Sequence, residues 1–74
     1  MAAARRLSEE HLKILQNIEE RRGELGLSGP TVAGIANIAP STWYRRLADP
    51  GQFTVDELLG IAEALRWTLA ELVK

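Results

Sequence analysis

The fold is decided by residues 28–48, SGPTVAGIANIAPSTWYRRLA, which are typical of two short helices joined by a tight turn. Ser28 can cap the first helix, and Pro30 suits its first turn, where a missing N–H removes no helical hydrogen bond. Asn37 follows this helix and is well suited to the left-handed backbone conformation of a tight turn. The stretch therefore predicts a helix from Ser28 and a turn at Asn37.

A second helix is predicted to begin near Pro40 and to end at residues 49–51, Asp-Pro-Gly, which break a helix. Trp43 and Leu47 lie four residues apart in it and so share one face. These two side chains predict the buried side of the helix.

The residue types across both helices have the spacing of a helix-turn-helix. Ala33 is small enough to let another helix approach closely, Asn37 allows the turn, and Ile38 and Trp43 supply apolar anchors that fix the angle. Spacing alone does not separate this motif from other helix pairs, because any small helical domain contains such pairs.

Two capping boxes predict the helices that follow. Thr54 with Glu57 precedes a broad apolar stripe, and Thr68 with Glu71 precedes a last short helix. Before the central stretch, Ser8 can cap a helix with apolar residues at near-helical spacing. That first helix carries Leu12, Ile14, Leu15, Ile18 and Leu25, and its end is marked by Gly23 and Gly26.

The sequence thus predicts an all-α fold, a compact five-helix domain over residues 8–74 with a central helix-turn-helix. Residues 1–7 are expected to form a flexible arm that carries Arg5 and Arg6. A chain of 74 residues has room for one core, and without cysteine it has no disulfide or thiolate metal site. The sequence indicates no signal peptide and no membrane span.

Charge is distributed unevenly although the net charge is only −1. Residues 1–24 carry five positive and five negative side chains, residues 25–48 carry two positive and no negative ones, and residues 49–74 carry two positive and five negative ones. A phosphate-facing surface needs a local absence of acid more than a global excess of base. The central segment is therefore the candidate surface for a nucleic acid.

No constellation of residues predicts an enzyme or a metal site. His11 is the only histidine, so it has no partner of its own kind for a metal site or a catalytic pair. The basic residues of the first helix, Arg21, Arg22 and Lys13, share residues 1–24 with five acids and predict solvated ion pairs. We expect no cofactor and no small-molecule ligand.

Residues 27–73, LSGPTVAGIANIAPSTWYRRLADPGQFTVDELLGIAEALRWTLAELV, resemble the Cro and phage-repressor family of helix-turn-helix domains. The family pattern has the form L-T-x-x-x-L-A-x-x-x-G-I-S-x-S-T-hydrophobic, followed by two further helices, and the resemblance covers about residues 8–74. The Ser-Thr-Trp triplet at residues 41–43, the Phe-Thr cap at residues 53–54 and the closing Leu69 and Leu72 follow the family's order. The resemblance implies a lambda-repressor-like fold and binding to duplex DNA.

Four positions depart from that pattern. Gly29 stands where the family often has a glutamine that contacts a phosphate, and glycine has no side chain to make that contact. Asn37 replaces the turn glycine. Ala39 and Pro40 replace the polar residues that usually open the recognition helix, and neither side chain can donate a hydrogen bond to a base.

Helical geometry predicts which side chains face the groove. With Trp43 and Leu47 as the buried direction and about 100° per residue, Ser41, Arg45 and Ala48 point away from the domain. Arg45 is the best candidate for bidentate recognition of a guanine edge. The predicted DNA-contact set is Ser28, Pro40, Ser41, Thr42, Tyr44, Arg45 and Arg46, with Tyr44 and Arg46 assigned to the DNA backbone.

The resulting functional prediction is a sequence-specific, double-stranded DNA-binding transcriptional regulator. The resemblance implies a Cro-like repressor of phage or prophage origin that occupies an operator in the cytoplasm of a bacterial or infected cell. The alternative is a protein-interaction module on the same scaffold, in an antitoxin-like or adaptor role. A homodimer is predicted through the C-terminal residues Trp67, Leu69, Leu72 and Val73, and a dimer that forms only on DNA is the alternative.

Overall fold

Five α-helices succeed one another in the computed structural model, which describes residues 8–74. The helices are α1 (Glu9–Leu25), α2 (Gly29–Ile35), α3 (Pro40–Ala48), α4 (Val55–Ala64) and α5 (Leu69–Leu72), with a 3-10 turn at Pro50–Gln52 between α3 and α4. No strand occurs in this part of the chain. The all-α class and the five helices are therefore confirmed, whereas the predicted arm lies outside the described residues.

The predicted caps form at the helix starts. The Ser8 hydroxyl accepts a hydrogen bond from the His11 backbone N–H at 3.1 Å. At α4 and α5 the capping boxes are complete, because Thr54 with Glu57 and Thr68 with Glu71 each exchange two hydrogen bonds. These bonds satisfy N–H groups that have no partner within a helix.

Three helices end in the same left-handed turn. Gly26 after α1, Asn37 after α2 and Arg66 after α4 have φ angles of +71°, +62° and +60°. In each case the next residue donates its N–H to the carbonyl five residues before it, as in a Schellman motif. The predicted end of α1 is confirmed: the last helical residue is Leu25, whose side chain packs against the core, and Gly26 caps the helix, while Gly23 lies inside its last turn.

The core forms where all five helices meet. Trp43 is its largest side chain, is 1% exposed, and meets Phe53 edge to face with ring centroids 6.4 Å apart. No polar or charged residue among residues 8–74 is buried. The other core residues are Ile18, Val32, Ala33, Ile38, Ile61, Ala62, Ala64, Leu65 and Leu72.

Side chains of α1 bind the carbonyl ends of two other helices. Arg21 donates from Nε to the carbonyl of Leu65 at 3.0 Å and lies 5.2 Å from the ring centre of Trp67, a cation–π distance. Asn17 donates to the carbonyl of Leu72 at 2.8 Å. Arg21 is therefore more than the solvated ion pair predicted for it, although it also pairs with Glu24.

None of the helices within residues 8–74 is both long enough and apolar enough to cross a membrane.

Candidate nucleic-acid interface

Residues 36–39 connect α2 to α3 and fix how the two helices meet. Asn37 adopts the left-handed conformation predicted for it, and its N–H is bonded to the carbonyl of Gly34 at 3.1 Å. Ile38 then donates to the carbonyl of Ala33 at 2.8 Å and is 6% exposed. The turn is therefore closed by backbone hydrogen bonds and anchored by one apolar side chain.

α3 has one face in the core and one face in solvent. Trp43 is buried and Leu47 is half-buried against the core. Thr42 is half-buried as well. The predicted buried direction of this helix is confirmed. The exposed residues of α3 are Pro40, Ser41, Tyr44, Arg45 and Ala48.

The first turn of α3 has no side-chain cap. Ala39 is the capping residue and makes no side-chain hydrogen bond, and Pro40 occupies the first helical position. The N–H groups of this turn lack intrahelical acceptors and carry the positive end of the helix dipole. An oxygen-rich anion can therefore approach Ser41 without displacing a capping side chain.

Arg45 is the exposed cation of α3. Its Nη2 group donates to the Thr42 hydroxyl at 3.3 Å, a long surface hydrogen bond within one helical turn. No carboxylate within residues 8–74 pairs with it. Its guanidinium is therefore available to a ligand on the outer face of α3.

Arg46 is held by α4 instead. Its Nε and Nη2 atoms donate to the two carboxylate oxygens of Glu57 at 3.0 and 3.3 Å, and the two side chains are 22% and 18% exposed. The hydrogen bonds from Arg46 lower the pKa of Glu57 against the opposing effect of partial burial. Arg46 was predicted to contact the DNA backbone, and its ion pair with Glu57 was not predicted. The two residues are eleven positions apart on different helices, and no sequence pattern indicates such a contact.

Ser28 and Gly29 form the start of α2, which lies against Trp43 of α3. The Ser28 hydroxyl caps α2 by accepting from the Thr31 N–H at 3.1 Å and lies 2.8 Å from the Thr31 hydroxyl. A methyl group added at Gly29 would lie 3.2 Å from Trp43 Nε1. Gly29 therefore leaves room for the indole, and Ser28 precedes it directly in the chain.

The predicted dimer residues are divided between core and surface. Leu72 has no exposed surface, so its assignment to an interface is wrong: it packs inside its own domain. Trp67 and Leu69 are half-buried against the core, and Trp67 lies under Arg21. Only Val73, at 45% exposed, is a large apolar residue of this set with a substantially open surface.

No group of three or more His, Cys, Asp or Glu side chains that could hold a metal ion occurs among the described residues. No protein-family model matches the chain, and neither a curated protein nor a solved structure matches it significantly.

Proposed function

We propose that the chain is a sequence-specific DNA-binding regulator that places α3 in the major groove of a duplex. The orientation of α3 carries this proposal: Trp43 holds one side in the core while Ser41, Tyr44 and Arg45 stand on the exposed side. The segment that contains them, residues 25–48, has no carboxylate. Such a surface fits a polyanion and presents side chains to base edges.

Each exposed side chain of α3 has a distinct chemical role in this proposal. Arg45 offers a planar fork of donors that matches the O6 and N7 acceptors of guanine. Ser41, in the uncapped first turn, contacts a base or a phosphate. Tyr44, 57% exposed, contacts the sugar-phosphate backbone with its hydroxyl.

Arg46 and Ser28 contribute through the scaffold. The Glu57 pair fixes α3 against α4, and the Ser28 cap fixes the start of α2 beside Trp43. A helix held at both sides presents its outer residues with little conformational freedom, which lowers the entropy cost of binding. A single small domain buries little DNA, so we expect two copies on a two-fold operator with half-sites about one helical turn apart.

Selection of bound sequences from a random duplex pool tests the proposal directly. If the chain is a sequence-specific regulator, the selected pool should be enriched in one DNA motif, and the chain should bind that motif more tightly than unrelated duplexes. The same titration with Arg45→Ala should lose about 1–3 kcal/mol on the selected site and relax preference at one base position.

Lys13→Ala is the matched control, because Lys13 is an exposed cation on α1 that lies beside the C-terminal residues Val73 and Lys74. Its affinity should stay close to that of the native chain. An Arg45→Ala loss that is equal on all sequences would make Arg45 a phosphate contact, and failure of the pool to yield any motif would overturn the proposal.

A protein-interaction module on the same scaffold is the second candidate. Residues 25–48 contain two cations, and one of them, Arg46, is paired with Glu57. Among the described residues only Arg45 of this segment therefore lacks a carboxylate partner, and so small a positive charge favours a protein ligand over DNA. Association with a defined protein that Arg45→Ala or Tyr44→Ala abolishes, together with no motif in the DNA selection, would decide for this candidate.

A further inference from the structure

One side chain of α3 contacts the head group of Arg45. The Arg45 Nη2 atom donates to the Thr42 hydroxyl at 3.3 Å. Within residues 8–74 this guanidinium makes no other hydrogen bond and no ion pair. Helical side chains lean toward the N-terminus of their helix, so a bond to the residue three positions earlier lies along the direction that Arg45 already favours.

Thr42 is a well-fixed acceptor for this bond. It is half-buried, and it precedes Trp43, whose side chain is 1% exposed in the core. Branching at Cβ restricts the rotamers of a threonine within a helix. An exposed arginine, in contrast, samples many rotamers, and ordering it on a ligand costs entropy. The Thr42 hydroxyl therefore limits the conformations of a side chain that is otherwise surrounded by solvent.

The bond also decides which end of α3 receives the charge. In a helix-turn-helix, the N-terminal residues of the recognition helix contact the base edges. Ala39 and Pro40 open α3, and neither side chain has a donor for a base. Along the helix axis, Thr42 lies about 4.5 Å nearer to this end than Arg45 does. The bond to Thr42 therefore directs the Arg45 guanidinium toward the part of the helix whose first side chains offer no donor.

The guanidinium keeps the donors that a base needs. Thr42 accepts from Nη2 alone, so Nη1 and Nε of Arg45 have no acceptor among the described residues. Bidentate recognition of the O6 and N7 atoms of guanine uses two N–H groups that point in one direction. Arg45 is thus restrained by one N–H group while others remain available to a base.

We propose that Thr42 is a positioning residue that determines specificity by holding Arg45 toward the first turn of α3. The chain then selects duplexes that carry a guanine facing this turn. This inference rests on the proposed function, and it gives Thr42 a role that differs from the direct DNA contact predicted for it from the sequence. A direct contact is the competing outcome of the experiments that follow.

Side-chain ¹⁵N relaxation of the full chain without DNA tests the positioning itself. Thr42→Val replaces the hydroxyl by a methyl group of similar size, and it should lower the order parameter of the Arg45 Nε–H group. Thr42→Ser retains the hydroxyl and should keep most of the native value. The Nε–H group of Arg21, which binds the Leu65 carbonyl, is the internal control and should stay unchanged in both variants if they are folded.

DNA titration tests the consequence for specificity. The measured quantity is the ratio of affinities for the selected motif and for the same motif with the Arg45-dependent guanine replaced. Thr42→Val should lower this ratio by about two- to fivefold, the contribution of one hydrogen bond, and Thr42→Ser should largely restore it. Affinity for unrelated duplexes should not change. In the Arg45→Ala background, Thr42→Val should have no further effect, because its partner is gone.

Three results would overturn the proposal. Equal order parameters of Arg45 in the native chain and in Thr42→Val would show that Thr42 does not hold it. An unchanged affinity ratio would remove the role in specificity, while the selected motif would leave the proposed function standing. A Thr42→Val loss that persists in the Arg45→Ala background would make Thr42 a direct DNA contact. If the pool yields no motif, the proposed function fails, and the relaxation measurement still decides whether Thr42 positions Arg45.

Discussion

Two glycines within helices show how single residues set the packing of α2 and α4. A methyl group at Gly60 would lie 3.0 Å from the carbonyl oxygen of Ala36 and 3.2 Å from its Cα, whereas one at Gly34 would meet nothing within 4 Å. Gly60→Ala should therefore destabilise the fold by about 1–3 kcal/mol, because backbone has to move. Gly34→Ala should stabilise it by up to about 1 kcal/mol through helix propensity alone.

Thermal and urea unfolding of the two variants measure this difference. Both substitutions add the same atom to a helical glycine, so each controls for the propensity gain in the other. Equal stabilisation of both variants would show that α2 and α4 separate without cost, and the close approach at Gly60 would then not be a constraint on the fold.

Residue types determine which of these details the sequence could predict. Asn37 and Gly26 are residues that favour a left-handed turn, so the sequence indicated both turns, and the four-residue spacing of Trp43 and Leu47 indicated the inner face of α3. Arg66 takes the same left-handed conformation although its residue type has no preference for it, so nothing in the sequence indicated this turn. The contact between Gly29 and Trp43 was equally invisible, because it joins two helices.

At the scale of elements, the pairing of Arg46 with Glu57 fastens α3 to α4 and makes stability depend on pH. Because the folded-state pKa of Glu57 is lowered, the pair stabilises the fold above the unfolded-state pKa of about 4.3. This contribution is lost as the pH falls through the lower, folded-state pKa. We therefore expect Glu57→Gln to cost about 1 kcal/mol at neutral pH and progressively less below about pH 4.

Urea unfolding at pH 7 and at about pH 3 checks the expectation. Gln at this position can still complete a capping box, so the loss reports the ion pair. Glu71→Gln changes the same position of the α5 capping box, which has no arginine partner in residues 8–74, and should show a smaller loss at pH 7. If the two variants lose the same free energy at both pH values, Arg46 contributes nothing to the attachment of α3.

The outer face of α3 was predictable because helical geometry is local: two buried residues fix the direction of the rest. Exposure of Ser41 and Arg45 followed from that geometry. The sequence could not predict that Arg45, and not Arg46, would be free of a carboxylate partner among the described residues. The partner of Arg46 is Glu57, which lies on a different helix. The sequence thus predicted the shape of the candidate interface better than its charge.

For the molecule as a whole, the small number of available cations predicts a shallow salt dependence of DNA binding. Residues 25–48 hold only Arg45 and Arg46, and Arg46 is paired with Glu57. Arg5 and Arg6, outside the described residues, could add two phosphate contacts. Each neutralised phosphate contributes about −0.9 to the slope of log K against log salt, so we expect a slope no steeper than about −3 per copy.

Fluorescence-anisotropy titration at several salt concentrations measures this slope. The double variant Arg5→Ala with Arg6→Ala should flatten the slope only if these two residues contact phosphates. A slope steeper than about −5 per copy would require cations other than these, and would move the DNA-binding surface away from α3.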